Sequence, residues 1–223
     1  MTSNVLYEAA VLIVPLVVAI VFHEVAHGWA ARWLGDPTAH EQRRLSFNPL
    51  RHVDPFGTII LPLGLALAHA PVFGWAKPVP VDARRLREPR TGMMLVALAG
   101  PGMNLLLATA SALALGLLAQ DTGQASGFLP DMLAQFILVN VFLALFNLLP
   151  VPPFDGSHVV EGLLPRPLAA RYASLGRYGF VLLIGLLVVL QSLFPGAYIV
   201  ARLVVPPAQW LGRLFFSLAG AIA

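Results

Sequence analysis

Apolar stretches recur along almost the whole of this chain, at residues 5–34, 56–72, 92–119, 131–149, 178–194 and 198–220. A soluble core has no room for them all. Hydrophobic residues make up 58% of the 223 and charged residues only 11%, against about 25% charged in an average soluble domain. With a mean hydropathy of +0.78, the natural solvent of the chain is a lipid bilayer. The expected fold is an all-α polytopic membrane protein of about five to six transmembrane segments, forming a single integral membrane domain over residues 1–223. Its core would occupy about 5–165, and a C-terminal helical pair about 178–220.

Five of the six stretches are long enough to span. The exception, Phe56 to Ala70, contains Gly57, Pro62 and Gly64 and falls short of the roughly 20 residues a spanning helix needs. Charge supplies an independent test, because Lys and Arg concentrate in cytoplasmic loops. Arg32, Arg43, Arg44 and Arg51 follow the first stretch, Lys77, Arg84, Arg85, Arg87 and Arg90 precede the third, and Arg166, Arg171 and Arg177 follow the fourth. If the short second stretch is re-entrant, twelve of the fourteen basic residues share one side. If it spans, the first two clusters face opposite sides. The re-entrant reading is preferred, with the basic loops cytoplasmic. The short segments Arg44 to Asn48 and Phe73 to Val81, the second broken by prolines, suit small β elements at the membrane surface.

The chain has no cysteine, which excludes disulfides, thiolate metal sites and a thiol nucleophile. A net charge of +3 and a pI near 9.8 do not indicate nucleic acid, because the basic residues lie between apolar stretches and not on one soluble face. The first stretch carries Glu8, no preceding Lys or Arg and no small-residue cleavage pattern, so it is expected to remain in the mature protein and not to act as a secretory signal.

The chemistry concentrates in His23-Glu24-Val25-Ala26-His27, which continues the apolar run Val11 to Phe22. Residues i and i+4 share a helix face, so both imidazoles can reach one metal while Glu24 approaches a water bound to it. Ionisable groups at membrane depth carry a desolvation cost of several kcal/mol, which makes a functional partner the default reading.

A zinc ion that keeps one position for water needs a third protein ligand. Asp155 is the best candidate: three prolines, Pro150, Pro152 and Pro153, break the fourth stretch just before Asp155-Gly156, and non-helical backbone there lets a carboxylate turn back towards the first helix. The first and fourth stretches both run towards the basic side, so their polar motifs meet at similar depth. His158, His52 and Asp54 are weaker alternatives, better suited to orienting a ligand imidazole. In such a set zinc acidifies its water and Glu24 takes the proton as general base. Asn147 and Asn104, polar residues inside apolar stretches, are candidate oxyanion donors, and either could equally hydrogen-bond between helices. The small residues of Ala99-Gly100-Pro101-Gly102 suit close helix approach.

These motifs resemble the site-2 protease family of intramembrane zinc metalloproteases, in its compact prokaryotic form without a PDZ or nucleotide-sensing domain. The resemblance rests on HEVAHG at 23–28 and NLLPVPPFDG at 147–156. LGDPTAH at 34–40, RLSFNPLRHVDPFGTIILP at 44–62, FGWAKPVPV at 73–81 and ALAGPGMN at 97–104 add to it. It implies a three-helix catalytic core, one Zn2+ held by His23, His27 and Asp155, Glu24 as acid and base, and Asn104 and Asn147 near the cleft. The implied substrate is a membrane-spanning protein segment, cut in regulated intramembrane proteolysis at a prokaryotic inner membrane. A metal or proton transporter is the competing class, and the role of Glu24 separates the two.

Overall fold

A computed structural model describes residues 2–67, 74–122, 127–185 and 199–223. Three long helices dominate it: α1 (Thr2–Trp33), then, after a short α2 (Thr38–Glu41) and α3 (Leu61–Leu67), α4 (Pro89–Thr122) and α5 (Phe128–Asn147). The chain continues through α6 (Asp155–Leu163), α7 (Arg166–Ala173) and α8 (Gly179–Ile184), and α9 (Ile199–Ile222) closes the order. Within the long helices, the stretches Val5–Trp33, Pro89–Gln120 and Phe128–Asn147 are long and apolar enough to cross a membrane. Their outward faces are apolar too, with Leu12, Ile13, Leu106, Leu117 and Leu138 exposed, as lipid-facing surfaces require.

The three helices pack against one another, and the pairings set their directions. Tyr7 near the start of α1 meets Asp131 near the start of α5, so these two run parallel. His23 meets Asn104 and His27 meets Val96, so α4 runs against α1. Ala108 and Ala112 on α4 let Ile137 and Val141 of α5 approach closely, and Ala219 of α9 joins that core with Leu211 and Phe215 packed on it; small residues at such contacts are the usual means of close helix packing in lipid.

The chain leaves and returns at one end of this bundle. Leu34 O accepts from Arg87 N at 2.9 Å, and the buried Asp36 carboxylate accepts from Asp82 N at 2.7 Å. Between these points a six-residue π-helical segment, Pro55–Ile60, runs into the seven-residue α3. Together they extend about 20 Å, short of the roughly 30 Å hydrocarbon core. The re-entrant reading of the 56–72 stretch also takes in residues 68–72, which lie outside the described residues.

Two expectations change. Among the described residues there is no strand. Residues 74–82 form an irregular strap whose amides donate to separate places, Trp75 to Gly57 O and Lys77 to His52 O, because Pro78 and Pro80 remove the donors a ladder would need. Arg44–Asn48 is likewise irregular, and Phe73 lies outside the described residues. Among the described residues three helices are long and apolar enough to cross, and the long α9, which carries Arg202, Arg213 and the pair Pro206-Pro207, is not one of them. Of the 178–194 stretch only the first turns, in α8, are described.

Candidate metal centre

Helix α1 continues unbroken through the His23 to His27 motif, so the 3.6-residue repeat stacks the two imidazoles on one face, with ring centroids 4.6 Å apart. The third group comes from the opposite end of the sequence. Helix α5 stops at Asn147 and the prolines carry the chain through a turn; Tyr172 of α7 braces it by donating to Pro150 O at 2.7 Å. Asp155 then opens α6. A Cβ on Gly156 would collide with the main chain of Leu148 and Leu149, so only glycine lets α6 start this close to the end of α5. The result is that His23 Nε2, His27 Nε2 and Asp155 Oδ2 converge, at 3.0 Å between the imidazole nitrogens and 3.1 and 3.3 Å from each to the carboxylate.

The far side of each ring decides what these atoms are. His27 Nδ1 lies 2.7 Å from Val96 O, a carbonyl that can only accept, so Nδ1 carries the proton. His23 Nδ1 lies 2.6 Å from Asn104 Oδ1, and the orientation of that amide is set by its own Nδ2 donating to Ala19 O and to Asn140 Oδ1. A ring whose single proton sits on Nδ1 turns its Nε2 lone pair into the cluster. Two lone pairs and a carboxylate facing one another in a buried site repel unless a cation lies among them. Ligands about 2.0–2.1 Å from a tetrahedral zinc stand roughly 3.3 Å apart, close to the separations here, so the donor set fits that ion.

Helix α4 is shaped around the centre. A Cβ on Gly100 would stand 2.5 Å from His27 Nε2 and 2.6 Å from His23 Nε2. Glu24, between the two histidines, accepts from the main-chain N–H of Val79 at 2.8 Å. Arg44 in turn holds the strap by donating to Lys77 O and Pro78 O at 3.0 and 3.3 Å. His23, His27, Asp155 and Glu24 line a cavity of about 640 Å³ whose other walls are mainly apolar, among them Ile20, Trp75, Val79, Leu143 and Phe146.

The structure brings His23, Glu24, His27 and Asp155 together and places Asn147 on the cavity wall, where Nδ2 donates to Leu143 O at 3.0 Å. Asn104 lies behind the His23 ring, fully buried and bonded across helices. His158 lines the cavity but faces Glu161. His52 bonds Ser46 O, and Asp54 caps the turn at Gly57. Sequence reasoning passed over Asn140, Val79 and the steric demand on Gly100. Asn140 carried a signal, a carboxamide inside an apolar stretch; Val79 carried none.

Residues 11–187 match the profile of a family described as Peptidase family M50. The Bacillus subtilis protein named "Putative zinc metalloprotease YwhC" is 39% identical over 181 residues, which cover 79% of this chain and 80% of that protein. "Putative zinc metalloprotease Rip2" of Mycolicibacterium smegmatis is 29% identical over 171 residues, 76% of this chain and 63% of its own length, so the chain spans less than two thirds of that relative. No solved structure matches the chain.

Proposed function

The chain belongs to peptidase family M50, the site-2 protease family, and on that premise we propose that it is a membrane zinc endopeptidase cutting peptide bonds in or beside the transmembrane segments of protein substrates. His23, His27 and Asp155 hold one zinc ion and Glu24 is the catalytic acid and base. The observation that carries this reading is the convergence of His23 Nε2, His27 Nε2 and Asp155 Oδ2 at 3.0–3.3 Å with both Nδ1 atoms committed elsewhere.

Bound to these three atoms, zinc supplies a Lewis acid and a water of lowered pKa. The rest is the work of the chain's own groups. Glu24 takes a proton from the attacking water and returns it to the leaving amine. The Val79 N–H fixes one carboxylate oxygen and so sets the direction from which the other meets that water. Asn147 uses one N–H on Leu143 O and has a second for the oxyanion of the tetrahedral intermediate. The apolar cavity walls exclude bulk water and receive apolar side chains on either side of the scissile bond.

A substrate helix in lipid has its carbonyls bonded internally, so it unwinds before its backbone reaches this centre. Residues 1–223 act as one metalloprotease unit, core and C-terminal helices together, in a prokaryotic inner membrane. The return of the chain to one end of the bundle supports cytoplasmic placement of the basic loops.

Zinc stoichiometry after identical chelator washes tests the assignment. Wild type and Glu24→Gln are expected to hold about one zinc per chain and Asp155→Ala to lose it. Equal retention by all three would remove Asp155 from the ligand set, and a wild type without zinc would end the protease reading.

A further inference from the structure

Asn140 sits in the middle of α5, fully buried, and touches neither the cavity nor the metal-site atoms. A carboxamide among apolar helices is costly unless each of its polar atoms is satisfied. Here they are, and in one direction only. Asn140 Nδ2 donates to Phe136 O at 2.8 Å, an acceptor with no proton to give, so Asn140 Oδ1 must face the other way. It accepts from Asn104 Nδ2 at 2.8 Å. Asn104 Oδ1 is thereby turned to His23 Nδ1 at 2.6 Å. The run Phe136, Asn140, Asn104, His23 crosses from α5 through α4 to α1, with every donor and acceptor assigned by the carbonyl at its far end.

We propose that Asn140 is a positioning residue for His23, acting through Asn104 to fix the polarity of this buried chain and so to keep the His23 Nε2 lone pair turned to the metal centre. The inference rests on the zinc reading above. Its logic is the cost of the alternative. If the Asn104 amide turned over, its Nδ2 would face His23 Nδ1, the ring would move its proton to Nε2, and the ligand atom would be lost. Two acceptors oppose that turn, Ala19 O at 3.3 Å and Asn140 Oδ1 at 2.8 Å, and the nearer belongs to Asn140. Without it only the longer contact resists. Outer partners that orient a ligating histidine are typically worth 10–100-fold in metal affinity.

The test uses the full chain in detergent and reads zinc affinity by chelator competition, with cobalt(II) absorption as a second report on ligand geometry. Asn140→Leu, close in volume but without an acceptor, is expected to weaken zinc by about tenfold or more and to shift the cobalt spectrum. Asn140→Asp retains an oxygen facing Asn104 and is expected to stay within about threefold of wild type, below the range for losing such a partner. In an Asn104→Leu background, Asn140→Leu is expected to add nothing, because the path to His23 is already cut.

Wild-type affinity in Asn140→Leu would overturn the proposal while leaving the zinc reading intact, as would a further loss in the Asn104→Leu background. Should Asn140→Leu not fold, zinc loss by folded Asn140→Asp would overturn it. A wild type that binds no zinc overturns both.

Discussion

The main-chain N–H of Val79 donates to Oε2 of Glu24 across 2.8 Å, joining the strap over the cavity to the carboxylate that stands between His23 and His27. The pairing links residues 55 positions apart, and it gives an irregular loop a part in aiming the proposed base. Hydrogen bonds to a charged group are worth about 1.5–3 kcal/mol.

Val79→Pro deletes that donor, and the flanking Pro78 and Pro80 already restrict the backbone to extended conformations. Cleavage of a model transmembrane substrate is expected to slow by roughly 10- to 100-fold, with zinc content unchanged. A normal rate would show that Glu24 needs no such support.

Glu24→Gln preserves the size of the side chain and removes its basicity. Turnover should fall by about 10²–10⁴ while one zinc stays bound. A metal transporter would behave differently: the same variant would shift ion affinity and leave no proteolysis to lose. Parallel zinc analysis and a cleavage assay separate the two.

Gly100→Ala places a methyl group within 2.6 Å of both imidazole Nε2 atoms, and the closeness of α4 to α1 leaves no space for it. The expected result is zinc affinity reduced at least tenfold in a protein that still folds as a membrane bundle, read by chelator competition alongside the melting temperature in detergent. Unchanged affinity would mean the helices separate at little cost.

Asp36 is fully buried and accepts from Thr38 N, Thr38 Oγ1 and Asp82 N, which fastens the exit of the strap to the end of α1. Asp36→Ala strands those donors, at about 1–3 kcal/mol for each buried group left unpaired. A lower melting temperature is expected, with faster proteolysis in residues 74–88. Resistance equal to wild type would show that Arg44 and the Leu34 contact hold the strap without it.

Much of the site could be read before any coordinates. An uninterrupted helix makes the stacking of His23 and His27 a consequence of a 3.6-residue period, and the prolines before Asp155 announce where α5 has to end. The short strap was harder. Its composition suggested a strand, yet alternate prolines leave too few amides for a ladder, and the remaining donors go to whichever acceptors the packed bundle presents. Helix α9 shows a related limit: Leu211, Phe215 and Ala219 pack on the α4–α5 core while Leu203, Trp210 and Leu214 are exposed, and apolarity along a sequence does not say which of these residues meet protein.

By itself the sequence determined that the chain belongs in a bilayer, that a helix carries two histidines and a glutamate on adjoining positions, and that the fourth apolar stretch is broken beside an acid. These are local properties, governed by side-chain hydropathy and by backbone geometry over a few residues. Only the tertiary structure decided that Asp155 meets His23 across 132 positions, that Val79 finds Glu24, and that Asn140 reaches His23 through Asn104. Such pairings depend on how three helices are placed in space, on the small residues that let them approach, and on which buried polar groups are left to satisfy one another once lipid and packing have excluded water.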